Sequence, residues 1–209
     1  MRPARHEQKA LNRHQMAART KLAPEEQLTI EEFLAFTDTR PDEERWELIE
    51  GIAVRSPPPT EIHQAVVGNV AAYLMSHKNR GGVSWLPLLG VGTRVPVSPR
   101  SLPLADVFVK EGALTGSPVT DDALVLFEVL SRNNTKADQA WRRKVYASVP
   151  NCRHYVTVSL KTVEVDAYDR DSGWKKRTVA DLADALDLPA LGVSIPLADI
   201  YRWTPLGPR

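Results

Sequence analysis

Asp106 and Glu128 are carboxylates set inside short apolar runs, Leu104-Ala105-Asp106-Val107-Phe108-Val109 and Ala123-Leu124-Val125-Leu126-Phe127-Glu128-Val129-Leu130. Both runs read as buried strands. A carboxylate enters such surroundings when it is paired, protonated or bound to a cation. Neighbouring strands lie about 4.8 Å apart, so two inward carboxylates on them repel unless a cation stands between. A divalent metal is the simplest such cation. One Mg²⁺, or Mn²⁺ as its substitute, shared by Asp106 and Glu128 would make the pair a hydrolytic centre.

Metal-assisted hydrolysis of a phosphodiester needs a second element, a cationic side chain beside the developing charge. Two residues after Glu128, on the same strand face, stands Leu130, so the cation must come from the following helix. That helix offers Arg142, Arg143 and Lys144. Asp138, Arg142 and Tyr146 fall at i, i+4 and i+8 and share a face. Lys144 is turned about 200° from Arg142, so one of the two reaches the sheet. Each residue also has a plainer role open to it. Asp106 caps a strand end, or Glu128 forms a structural ion pair with Arg142 or Arg143. Glu47 faces solvent from a hairpin, and His63 caps or packs at a helix start. A two-carboxylate glycosidase is a weaker rival, which predicts metal-independent sugar hydrolysis.

The elements that must position these residues are legible. Thr29 and Glu32 form a capping box at a short helix beginning near Leu28. Residues 46–54 alternate about Glu50-Gly51 as a β-hairpin, and Pro57-Pro58-Pro59 ends it. Ile62, Val66, Val70 and Leu74 recur at helical spacing from Glu61 to His77, with Gly81-Gly82 as the stop. Strands are expected at 83–89, 92–97, 104–109, 123–130, 154–158 and 163–168. A helix is expected at 136–149 and a short one at 179–186. This order makes an α/β layer protein with a mixed sheet.

The matching elements are Leu28-Thr29-Ile30-Glu31-Glu32-Phe33-Leu34, Trp46-Glu47-Leu48-Ile49-Glu50-Gly51, His63, Ala105-Asp106-Val107, Glu128-Val129-Leu130-Ser131 and Tyr146-Ala147-Ser148-Val149-Pro150-Asn151 running into His154-Tyr155-Val156. On these the chain resembles the Uma-two family, a bacterial branch of the PD-(D/E)XK nuclease superfamily, over roughly residues 28 to 201. The resemblance implies a restriction-endonuclease-like mixed central sheet flanked by helices, with an N-terminal β-hairpin. It implies Asp106 and Glu128 as metal ligands, Glu47 and His63 near them, and a lysine four residues before Tyr146. Here that position is Arg142, which keeps the charge but cannot give up a proton. The family's proline before the aspartate is Ala105. The implied activity is Mg²⁺-dependent DNA hydrolysis, with a nuclease-fold module that binds nucleic acid without cutting as the alternative.

Composition fits this reading. At 209 residues and 43% hydrophobic content, one domain with one core is expected over 25–209. Residues 1–22 hold six Lys/Arg against Glu7, a net +5, so residues 1–24 read as a flexible basic arm. No apolar run approaches the roughly 20 residues of a membrane span. The single Cys152 forms no internal disulfide and suits a reducing, cytoplasmic setting. Cutting both DNA strands would suit a symmetric homodimer.

Overall fold

The computed structural model describes residues 27–131 and 134–209. The basic arm expected over residues 1–24 lies outside them. Helix α1 (Ile30–Thr37) opens on the expected capping box. The Thr29 hydroxyl accepts the Glu32 N–H at 3.1 Å, and the Glu32 carboxylate accepts the Thr29 N–H at 2.8 Å. Strands β1 (Arg45–Ile49) and β2 (Ile52–Ser56) pair antiparallel. Their two-residue turn puts Glu50 and Gly51 at φ 49° and 78°, which matches the twist of a hairpin. Helix α2 (Glu61–Gly81) is capped by Thr60 and stopped by Gly82 at φ 61°.

After α2 come β3 (Trp85–Leu89), the two-residue β4 (Gly92–Thr93), β5 (Val107–Glu111), the two-residue β6 (Val119–Thr120) and β7 (Val125–Leu130). Helix α3 (Lys136–Ala147) leads to β8 (His154–Ser159), β9 (Val165–Asp169) and β10 (Lys175–Val179). The main sheet has six strands in the order β10-β9-β8-β7-β5-β3. Only β7 and β8 run parallel, with α3 as the crossover between them. Side chains alternate across a strand, so the sheet has two apolar faces. Val107, Val109, Val125, Phe127 and Val129 pack with Val66, Val70 and Leu74 of α2. Phe108, Leu126 and Tyr155 pack with Val145 and Tyr146 of α3. This is the mixed α/β architecture expected, with helices on both faces.

Three expectations are corrected. The strand expected at 92–97 stops at Thr93, because the chain turns at Ser98, whose N–H reaches Val95 O. The strand expected from Leu104 begins at Val107, so Asp106 stands just outside it. The short helix expected at 179–186 is absent. Val179 ends β10, and β11 (Ala185–Leu188) pairs with β12 (Val193–Pro196) before the short α4 (Leu197–Ile200). Leu186, Leu188, Val193 and Ile195 alternate with exposed Asp187 and Ser194, and their apolar set closes the α2 face of the core. Among the described residues no helix is long and apolar enough to cross a membrane.

Candidate active site

Glu128 alternates with Leu126 and therefore points from β7 toward α3. There Arg142 Nη1 donates to its Oε1 at 2.9 Å and the Tyr146 hydroxyl donates to the same atom at 3.0 Å. The one-turn spacing of Arg142 and Tyr146 delivers both groups to one oxygen. Glu128 Oε2 accepts no hydrogen bond among the described residues. Arg142 Nη2 reaches past Glu128 to Glu47, at 2.9 Å from Oε1 and 2.7 Å from Oε2. Glu47 thus faces the interior and not solvent. Its Oε1 also accepts the Leu104 N–H at 2.7 Å, which ties the hairpin to the segment leading into Asp106. A backbone pair between Leu48 and Leu102 reinforces that tie.

Asp106 brackets Glu128. Its N–H donates to Phe127 O at 3.0 Å, and its Oδ2 accepts the Val129 N–H at 2.9 Å. Both neighbours of Glu128 are therefore bonded to Asp106, so the two carboxylates from separate segments stand side by side. Asp106 bonds across to the backbone of β7 and does not cap a turn at its own strand end. His63 Nε2 lies 3.3 Å from Asp106 Oδ2, and Arg45 Nη1 lies 3.3 Å from Oδ1. His63 is delivered by the first turn of α2, where its backbone N–H meets the Thr60 hydroxyl at 3.3 Å. Its ring Nδ1 is buried without a hydrogen-bond partner.

Lys144 does not join this cluster. It is exposed on α3, because the helix rotation that buries Arg142 turns Lys144 to solvent. The structure thus brings together Asp106, Glu128, Arg142, Glu47 and His63, and leaves Lys144 out. Arg45 and Tyr146 join the cluster although sequence reasoning gave neither a role in it. Tyr146 carried a signal, its shared face with Arg142. Arg45 carried none, since its contact depends on where the hairpin docks.

Electrostatics follow from three carboxylates meeting two guanidinium groups. Burial pushes the Glu128 carboxyl up to about 8; Arg142 opposes this, while the negative charges of Asp106 and Glu47 add to it. Burial also raises Asp106, but the His63 hydrogen bond and charge, the Val129 N–H and Arg45 outweigh it, and its carboxyl sits below the ordinary value. Burial works against the charge on Arg142, yet Glu128 and Glu47 hold it well above the ordinary value. Glu128 therefore holds its proton more tightly than an ordinary carboxyl, chiefly because it is buried and also because Asp106 and Glu47 stand near it.

The donor set fits a hard divalent cation. Asp106 supplies anionic oxygens, and Glu128 Oε2, which accepts no hydrogen bond among the described residues, would supply another once a cation displaced its proton. No group of three or more His, Cys, Asp or Glu side chains is arranged to hold a metal among the described residues. Mg²⁺ needs no such cage, since one or two carboxylates plus water and substrate phosphate suffice.

A mixed sheet with one parallel crossover, helices on both faces and a buried acidic cluster at the crossover strand defines a layered α/β class. A crystal structure described as a putative nuclease belonging to DUF820 from Anabaena variabilis shares the fold, with a TM-score of 0.69 over 84% of this chain and 98% of that one, at 14% identity. The chain belongs to the Uma2 family, described as "putative restriction endonuclease", whose model matches residues 30–198. No curated protein matches the chain.

Proposed function

We propose that the protein is a Mg²⁺-dependent endonuclease that hydrolyses DNA phosphodiester bonds, a cytoplasmic enzyme whose residues 25–209 act as one unit. The observation that carries this reading is the bonding of Asp106 to both backbone neighbours of Glu128. It sets two carboxylates together beside a buried guanidinium, in a chain of the Uma2 family, described as "putative restriction endonuclease". In this reading Asp106 and Glu128 hold the metal. Mg²⁺, or Mn²⁺ in its place, would polarise the phosphate and acidify water. Arg142 fixes Glu128 through Oε1, leaves Oε2 free, and supplies positive charge for the transition state. It acts by charge alone, because a guanidinium does not donate its proton to solvent at working pH. Glu47 clamps Arg142 from the hairpin side.

The test is cleavage of supercoiled plasmid DNA with Mg²⁺ or Mn²⁺. The wild type should cut, and Asp106→Ala should abolish cutting while DNA binding in Ca²⁺ persists. A second reading is a module that binds nucleic acid without cutting. It is favoured by the Arg142 bridge, which already sets a cation between Glu47 and Glu128. Wild type that binds duplex DNA and never cuts it with either metal would select the module.

A further inference from the structure

Glu47, His63, Asp106, Glu128 and Arg142 are each less than a tenth exposed, at 5%, 8%, 7%, 5% and 8%. A ligand arriving from solvent therefore meets little of the carboxylates or of Arg142. Arg45, the first residue of β1, differs from the other charged groups in the cluster: its side chain is 34% exposed. Its ties are also long, 3.3 Å to Asp106 Oδ1 and 3.5 Å from Nη2 to Ala105 O. Arg142, by contrast, is held at 2.7 to 2.9 Å by two carboxylates. The Arg45 half of this pair is a third exposed, so solvent and solutes compete for it there as they cannot for Arg142. A guanidinium suits such an exchange, because its planar fork accepts a phosphate as readily as a carboxylate.

We propose that Arg45 is the substrate-phosphate contact of this site: its guanidinium leaves Asp106 for a non-bridging oxygen of the DNA backbone, and Asp106 is thereby freed for the metal. This rests on the nuclease reading above. Arg45 has two roles in sequence. Before substrate arrives it holds the Asp106 charge in place of a metal. Once a phosphate is bound it neutralises that phosphate from the solvent side, while Arg142 stays fixed behind Glu128. β1 is anchored through the Leu48–Leu102 backbone pair, so the exchange is assigned to the Arg45 side chain. The contact is to backbone phosphate and carries no sequence information.

The proposal makes two opposite predictions for one substitution. Arg45→Gln removes a cation that competes for Asp106, so Mn²⁺ binding, read by electron paramagnetic resonance without DNA, should tighten severalfold. The same variant should bind a 30-base-pair duplex in Ca²⁺ about tenfold more weakly by fluorescence anisotropy. The slope of log affinity against log salt should fall by about one. In Mg²⁺ its KM should rise with kcat little changed, and Arg45→Lys should recover part of the affinity. A urea midpoint equal to wild type confirms that the variants fold. A merely structural Arg45 would loosen Asp106 and weaken Mn²⁺ and DNA binding together, which overturns the proposal. Unchanged DNA affinity and salt slope overturn it as well, as does a wild type that binds no DNA. A wild type that binds and never cuts defeats the nuclease reading, yet leaves the Arg45 salt slope as a separate result for or against the phosphate contact.

Discussion

Glu128→Gln is the substitution that tests the electrostatics most directly. The amide keeps the shape of the carboxyl and can still accept from Arg142 Nη1 and Tyr146, but it cannot ionise. In the folded protein the Glu128 carboxyl titrates at about 8, against an ordinary value of 4.5. Each pKa unit corresponds to about 1.4 kcal/mol between the protonation states. Below pH 4.5 the group is protonated whether the chain is folded or not, and it makes no pH-dependent demand. Between pH 4.5 and 8 the unfolded chain gives up this proton and the folded protein keeps it. The folded state binds more protons there, so stability falls as pH rises and levels off above about 8. The loss amounts to about 3 kcal/mol at pH 7 and about 5 kcal/mol in full. Gln removes it. Relative to wild type, the variant should be nearly neutral at pH 4.5 and should gain stability steadily to pH 8. Urea unfolding followed by tryptophan fluorescence, in EDTA at several pH values, measures this directly. Saturating Mn²⁺ should stabilise the wild type at pH 8 and leave the variant unchanged. If the two stability curves run parallel from pH 5 to 8, burial does not raise the Glu128 carboxyl and this account of the site's electrostatics is wrong.

Arg142→Met should destabilise the protein by about 3 to 5 kcal/mol in urea, because it strands Glu47 and Glu128 without their shared cation. Adding Glu128→Gln to it should recover part of that loss, and strictly additive effects would refute the coupling. Lys144→Ala should leave plasmid cleavage unchanged and stability within about 0.5 kcal/mol, and a tenfold loss of cleavage would put Lys144 in the reaction after all. Gly51→Ala should destabilise by about 1 to 3 kcal/mol, since the residue sits at φ 78° and a Cβ would lie 2.4 Å from Gln27 Cβ. An unchanged melting temperature would show that the hairpin turn relaxes freely.

Local chemistry made much of this protein readable. The Thr29–Glu32 capping box, the Glu50-Gly51 turn and the Gly82 stop depend on a few adjacent residues, so their signals survive in one dimension. Glu128 declared itself because a carboxylate among Leu126, Phe127 and Val129 demands a partner wherever the strand is placed. The C-terminal region misled because residues 179–186 mix apolar and acidic residues at a spacing that helices also show. Only the pairing of Leu186 with Ile195, and of Leu188 with Val193, exposes the strand period.

The sequence by itself determined the main helices and the strands that carry the site, the two carboxylates and the existence of a cation on the following helix. The tertiary structure alone decided which cation that is, by the rotation of α3 that buries Arg142 and exposes Lys144. It also decided that Glu47 turns inward and that Arg45 reaches Asp106, 61 positions away in the chain. The physical reason is range. Caps and turns are settled by bonds within a few residues, whereas a shared buried charge is settled by how separate segments dock, and no local pattern encodes that distance.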